Sequence, residues 1–310
     1  MTPATRPSPS PASSLGSLEL RCPPLPHTLV EALNLVDNPA QINTKTVTSL
    51  LERDPLVIAR LLQTVNSAYY GLPRTISSPE RAVVMLGPVA VVGIIVGMSM
   101  LRLRSVLEGP ASDCFSRLIL HSIATAYLAD SLTKDQSPCV TPPAGRTRTG
   151  SGYTAGLLHD FGKIILVYNV PDKAVALYDE GSLSVRAESA CEMESLLFGS
   201  DHTEAGAFAA RKLRFPDPLA HVARHHHAPE QADPEAAPLV RAVAVANLAA
   251  GAMGYGFTEA RSWEACTADP VWALYAEHAP PCTPEALTDL LAAKQTDLDE
   301  YVRSFTMPTP

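Results

Sequence analysis

Residues 82–101 read AVVMLGPVAVVGIIVGMSML, twenty uncharged residues between Arg81 and Arg102. That length matches the roughly 20 residues a helix needs to cross the apolar core of a bilayer. The Gly87-Pro88 step inside the run argues against a crossing. Proline suits the first turn of a helix and disrupts an interior, because it lacks an N–H and its ring clashes with the preceding turn. The run therefore reads as one helix ending near Leu86 and another starting at Pro88, and Pro88–Leu101 is too short to span. A helix that is apolar all round and does not cross a membrane is buried among other elements. This segment is thus expected to be a buried central helix, with no membrane contact. With 310 residues, 46% of them hydrophobic and 18% charged, the chain has the material for such a core.

Helical spacing surrounds that segment. Leu29, Leu33 and Val36 form one apolar stripe, and Val47, Leu50 and Leu51 another; Leu56, Ala59, Arg60 and Gln63 follow in an amphipathic run. Asp54-Pro55 and Ser78-Pro79 each combine an N-cap with proline at the first helical position. Tyr70-Gly71 is expected to close a helix before LPRTIS. Further on, the pattern predicts helices over 155–170, 172–179, 188–198, 202–213, 217–227, 238–250 and 284–304. No strand alternation is evident, so the fold is expected to be all-α. Residues 1–20 form a Pro/Ser-rich tail that is expected to be disordered. Residues 135–152, DQSPCVTPPAGRTRTGSG, read as a flexible loop, either solvated or a basic lid carrying Arg146 and Arg148.

The formal net charge of −8 argues against a protein that coats nucleic acid indiscriminately. Its distribution is uneven. Arg53, Arg60, Arg74, Arg81, Arg102 and Arg104 face only Asp54 and Glu80 within residues 53–104, whereas eleven acids face four bases from residue 231 onward. The first region either meets an anionic partner or consists of solvated helix faces. The six cysteines are scattered without a CxxC, and the first twenty residues lack the apolar stretch of a secretory signal. A cytoplasmic protein with free thiols is the expectation.

Seven of the nine histidines fall between residues 121 and 227: His121, His159, His202, His221, His225, His226 and His227. His159 is followed at once by Asp160, in GLLHDFGK. Adjacent residues on a helix diverge by about 100°, so the doublet is either part of a metal site or a capped helix with an incidental histidine. Three or four imidazoles with a carboxylate make the mixed N/O ligand set that suits Mn, Fe, Zn or Ni. His221 and His225, spaced i and i+4, form a second pair able to share one face of a helix.

The order His121, His159-Asp160 with Lys163, His202 and the run His225–His227 resembles the HD superfamily of metal-dependent phosphohydrolases, and most nearly its HDOD branch. LPHTL at 25–29, DPLVIARLLQTVNSAYYG at 54–71 and SPERAVVMLG at 78–87 resemble the leading helical lobe of that branch. The resemblance covers roughly residues 20–250. It implies a two-lobed helical fold, with an N-terminal lobe over 21–105 and an HD-like lobe over 106–250; a more acidic helical extension over 251–310 is expected to follow it. It also implies that His121, His159, Asp160, His202, His226 and His227 hold a divalent metal (Mn, Fe, Zn, Ni or Mg), with His225 able to replace one of the last two. Asp160 and Lys163 are implied as catalytic. Lys163, Arg146, Arg148, Arg102 and Arg104 are the candidates for phosphate contact. The last ligand of the superfamily is an aspartate, and the matching position is Asn247, a departure that removes a hard anionic ligand. Two functions follow from the resemblance. One is a metal-dependent phosphodiesterase or nuclease acting on nucleic acid or nucleotides. The other is a catalytically silent signalling adaptor that binds a protein or nucleotide partner.

Overall fold

The computed structural model describes residues 19–67, 70, 72–133, 151–178, 190–256, 262–279 and 282–306. The helices of the first half are α1 (His27–Asp37), α2 (Thr44–Leu51), α3 (Pro55–Val65), α4 (Pro79–Leu86), α5 (Pro88–Arg102) and α6 (Pro110–Thr133). The second half runs through α7 (Ser151–Leu158), α8 (Phe161–Asn169), α9 (Pro171–Tyr178), α10 (Ala190–Phe198), α11 (His202–Leu213), α12 (Asp217–His225) and α13 (Ala237–Ala250). It ends with α14 (Trp263–Thr267), α15 (Pro270–Glu277), α16 (Pro284–Ala292) and α17 (Gln295–Thr306). No strand occurs among the described residues, so the fold is all-α. Residues 1–18 of the tail, and residues 134–150 with Arg146 and Arg148, lie outside the described residues.

The capping signals act as their chemistry requires. Asp54 accepts from the Val57 N–H at the start of α3, Ser78 from the Arg81 N–H at the start of α4, and proline fills the first turn of both helices. Gly87 separates α4 from α5 at φ +82°, a left-handed value that glycine adopts without strain. The following helix is buried from Val91 to Met100, as the uncharged run required. Pro88–Val106 and Ala237–Tyr255 are long and apolar enough to cross a membrane by composition, yet 61% of the most apolar window in each is buried within the fold.

Several expected boundaries move. α3 ends at Val65 rather than at Tyr70, because the Asn66 amide pairs with both the N–H and the C=O of Ile76 and turns the chain out of the helix. The helices predicted over 155–170 and 284–304 are each two helices. The short α14 and α15, with Trp272 fully buried, gave no period long enough to register. Cys22, Cys114, Cys191 and Cys266 are free, whereas Cys282 is disulfide-bonded, so the free-thiol expectation fails there. Widely spaced cysteines do not reveal which ones the fold brings together.

Candidate metal centre

The break at the doublet answers the geometric objection to it. α7 stops at Leu158 and α8 starts at Phe161, so His159 and Asp160 occupy a turn rather than neighbouring positions on one helix. Asp160 stands at the N-cap of α8, but its carboxylate makes no capping bond and turns inward instead. Two glycines then set how closely other helices approach. A Cβ on Gly156 would lie 2.7 Å from the Ala126 Cα, and one on Gly162 would lie 1.8 Å from the His202 carbonyl oxygen. Gly156 thus seats α7 against α6, which carries His121. Gly162 seats α8 against the start of α11, which carries His202. The Asp201 side chain caps α11 by accepting from the Thr203 and Glu204 N–H groups, fixing His202 at its first position.

Four imidazoles surround the Asp160 carboxylate. His121 Nε2 lies 3.5 Å and His159 Nε2 3.3 Å from Oδ2; His202 Nε2 and His226 Nε2 each lie 3.4 Å from Oδ1. The opposite nitrogen of each ring is already committed. Nδ1 of His121 faces the Tyr255 carbonyl at 2.8 Å, that of His159 the Gly156 carbonyl at 2.7 Å and that of His226 the Val222 carbonyl at 3.0 Å. His202 Nδ1 faces Glu194 Oε2 at 2.5 Å. These oxygens only accept, so Nδ1 carries the proton in each neutral ring and every Nε2 presents a lone pair to the centre. His202 Nε2 and His226 Nε2 are 3.2 Å apart, two lone pairs face to face. His159 Nε2 and Asp160 Oδ1 are buried without a hydrogen-bond partner. Each such group costs about 1–3 kcal/mol. A cation accepting these electron pairs removes the cost, so the residues present fit a metal ion.

The electrostatics agree. Burial drives His121 down to about 3 and His226 to about 4, which keeps both rings neutral and able to donate a lone pair at neutral pH. Burial alone would raise the Asp160 carboxyl, but positive charge beside it, the Lys163 ammonium included, outweighs burial and holds the group well below the usual carboxylate range. Lys163 Nζ donates to Asp160 Oδ2 at 2.6 Å. Asp160, His202, His226 and His227 offer ligand atoms that all lie within 4.8 Å of one another, and so do those of His121, His159 and Asp160. Both groups share Asp160. His227 is the exposed member, which marks the open side of the cluster.

Sequence reasoning missed Glu194. It is fully buried on α10 and accepts from the His202 N–H at 2.7 Å and from His202 Nδ1, while its other oxygen accepts from the Tyr178 hydroxyl at 2.7 Å. A carboxylate behind a ligand histidine fixes its tautomer and raises its basicity. The only sequence signal was an acid in an otherwise ordinary helix. Tyr255 is the second omission. Its carbonyl holds His121 from the turn after α13, and its hydroxyl donates to Asp299 on α17.

Other expected residues stand apart. His225 is partly exposed and stacks with His221, which pairs with Asp233 at 3.2 Å. Of the two candidates for that place, the fold therefore brings His226 rather than His225 to the cluster. Asn247 is half-buried on α13, which packs against α6, α7 and α12. Arg102 is ion-paired with Asp54, and with Arg104 it lines a separate cavity that none of the cluster residues lines. These two arginines, expected as candidates for phosphate contact, therefore stand apart from the cluster.

A sequence model described as "HDOD domain" matches residues 22–229. An HDOD domain protein of unknown function from Geobacter sulfurreducens is 23% identical in a solved structure, with 92% of each chain covered and a TM-score of 0.72. A solved structure titled "Putative phosphohydrolase", from Shewanella amazonensis SB2B, is 22% identical, covers 92% of this chain and 95% of that one, and has a TM-score of 0.65. Identities of this size establish a shared fold. An uncharacterised protein of Treponema pallidum (strain Nichols) is 23% identical over 229 residues, 73% of this chain, and the match spans 41% of that relative's length.

Proposed function

The chain belongs to the HDOD family, and from that premise we propose that it is a metal-dependent hydrolase of phosphodiesters in nucleic acid or nucleotides. The observation that carries this reading is the convergence of four Nε2 lone pairs on one buried carboxylate, each ring locked in the required tautomer from behind. Asp160 with His202, His226 and His227 would hold one cation, and Asp160 with His121 and His159 a second. The imidazole-rich set suits Mn, Fe, Zn or Ni better than Mg. A divalent metal supplies a water of lowered pKa and neutralises charge on a phosphoryl oxygen. Lys163, one turn into α8 and in contact with Asp160, is the group positioned to meet a phosphate oxygen. Arg146 and Arg148 are the further candidates for that contact.

One observation favours the alternative of a silent signalling adaptor that binds a protein or nucleotide. The Lys163 ammonium already compensates the Asp160 charge inside the fold, with Lys163 only 6% exposed. Hydrolysis of bis-p-nitrophenyl phosphate separates the two readings. The hydrolase reading expects turnover that requires Mn or Fe, is removed by chelation and vanishes in H159A/D160A with helicity intact. Absence of divalent-dependent turnover, or turnover that survives in that variant, would favour the adaptor.

A further inference from the structure

One of the four imidazoles is held from a different part of the chain than the rest. Gly156, Glu194 and Val222, which accept from His159, His202 and His226, all lie within residues 22–229, the segment matched to the HDOD family. Tyr255, whose carbonyl accepts from His121 Nδ1 at 2.8 Å, lies beyond it, at the end of the turn Gly251–Tyr255 that follows α13. A carbonyl at a helix end has no partner within the helix, so its direction depends on what grips the turn. The C-terminal helix α17 does so. Gln295 Nε2 donates to the Met253 carbonyl at 3.3 Å and to Asp299 Oδ1 at 3.0 Å, and the Tyr255 hydroxyl donates to the same Oδ1 at 2.7 Å. Gln295 and Asp299 are spaced i and i+4 and share one face of α17. The buried residues of the helix fix it against the cluster's own scaffold. The Tyr301 hydroxyl donates to the Tyr153 hydroxyl on α7 at 2.9 Å, and its ring centroid lies 5.3 Å from that of Tyr127 on α6.

We propose that Asp299 is a positioning residue for the metal centre: by accepting from the Tyr255 hydroxyl it fixes the Tyr255 carbonyl, and through it the His121 ring with Nε2 towards Asp160. A hydrogen-bond partner behind a ligand histidine sets both its tautomer and its orientation. When the turn loosens, Nδ1–H loses its acceptor and the proton is free to move to Nε2, where the ring no longer offers a lone pair to the centre. The proposal deepens the metal-site reading and rests on it for metal affinity, whereas the His121 tautomer is readable without any metal.

Two measurements on the full chain test this: calorimetric titration of the metal-free protein with Mn, and the ring ¹⁵N shifts of His121 at pH 7 without metal, assigned by their loss in His121→Asn. Wild type should show the Nδ1–H form. Asp299→Ala and Tyr255→Phe should each populate the Nε2–H form and weaken Mn binding by about tenfold, the low end of the loss seen when a partner behind a ligand is removed. Asp299→Asn keeps the accepting Oδ1 and should restore both readouts. D299A/Y255F should be no weaker than either single variant, because the two act through one contact. If Asp299→Ala fails to fold by circular dichroism, Tyr255→Phe is read by the same tautomer and affinity criteria. The proposal is overturned if the His121 tautomer or the Mn affinity stays as in wild type, if Asp299→Asn restores neither, or if the two losses add. Should wild type take up no Mn, the metal-site reading fails and the tautomer alone decides the role of Asp299.

Discussion

His202 Nε2 lies 3.2 Å from His226 Nε2, while Nδ1 of the first ring donates to Glu194 and Nδ1 of the second to the Val222 carbonyl. Two imidazoles so anchored cannot both turn a proton towards each other. Their shared edge is a place for a cation.

Glu194 is therefore expected to govern metal affinity without touching the metal. Glu194→Gln keeps the side-chain shape but removes the charge behind His202, and affinity should fall by about 10–100-fold. Glu194→Ala should also lower stability, because the His202 N–H and the Tyr178 hydroxyl lose their acceptor at about 1–3 kcal/mol each. Titration with Mn, followed by urea denaturation of the metal-free variants, separates the two effects. Equal affinity in wild type and Glu194→Gln would remove Glu194 from this role.

Acid should weaken the metal-free protein early. His121 and His226 sit at about 3 and about 4 in the fold, against about 6.5 in an unfolded chain. Their folded values are depressed, so the unfolded chain binds more protons between these limits. Stability is full above about pH 6.5 and falls as pH drops towards 4, by up to about 1.4 kcal/mol per pH unit for each ring. The urea midpoint should decline between pH 6.5 and 5, before the carboxylates titrate. A flat midpoint over that range would contradict the burial of neutral rings.

Gly162→Ala tests the close approach of α8 and α11. The added methyl would fall 1.8 Å from the His202 carbonyl oxygen and 2.6 Å from the Gly206 nitrogen. Both are backbone atoms, so the helices must separate. Overpacking of this kind typically costs about 1–3 kcal/mol or more, and His202 should move away from Asp160. A thermal midpoint and metal affinity equal to wild type would show that the approach is not needed.

Asn247→Asp should raise metal occupancy if the α13 position faces the cluster, since a carboxylate binds Mn or Fe better than an amide. Metal analysis of the variant beside wild type reads the answer. Unchanged occupancy would leave Asn247 as an ordinary residue of α13.

The all-α fold was legible because its signals are local: proline and cap pairs at Asp54 and Ser78, helical stripes, and a glycine before Pro88. The histidine order was legible for the same reason. Two things were not. The break between α7 and α8 lies within a continuous helical period, because Leu157, Leu158, Phe161, Ile164 and Ile165 stay apolar across the turn. Partners supplied by tertiary packing, such as Glu194 behind His202, Tyr255 behind His121 and Asp54 beneath Arg102, leave no spacing in the sequence. Gly156 and Gly162 are contact points between helices, and nothing local in the sequence marks them as such.

The most direct test of the account is the metal content of full-length protein purified without a histidine tag, measured by plasma mass spectrometry beside H159A/D160A. The account predicts a first-row transition metal, Mn, Fe, Zn or Ni, at one to two equivalents per wild-type chain and near none in the variant. Metal-free wild-type protein that also fails to take up these ions on titration would contradict it.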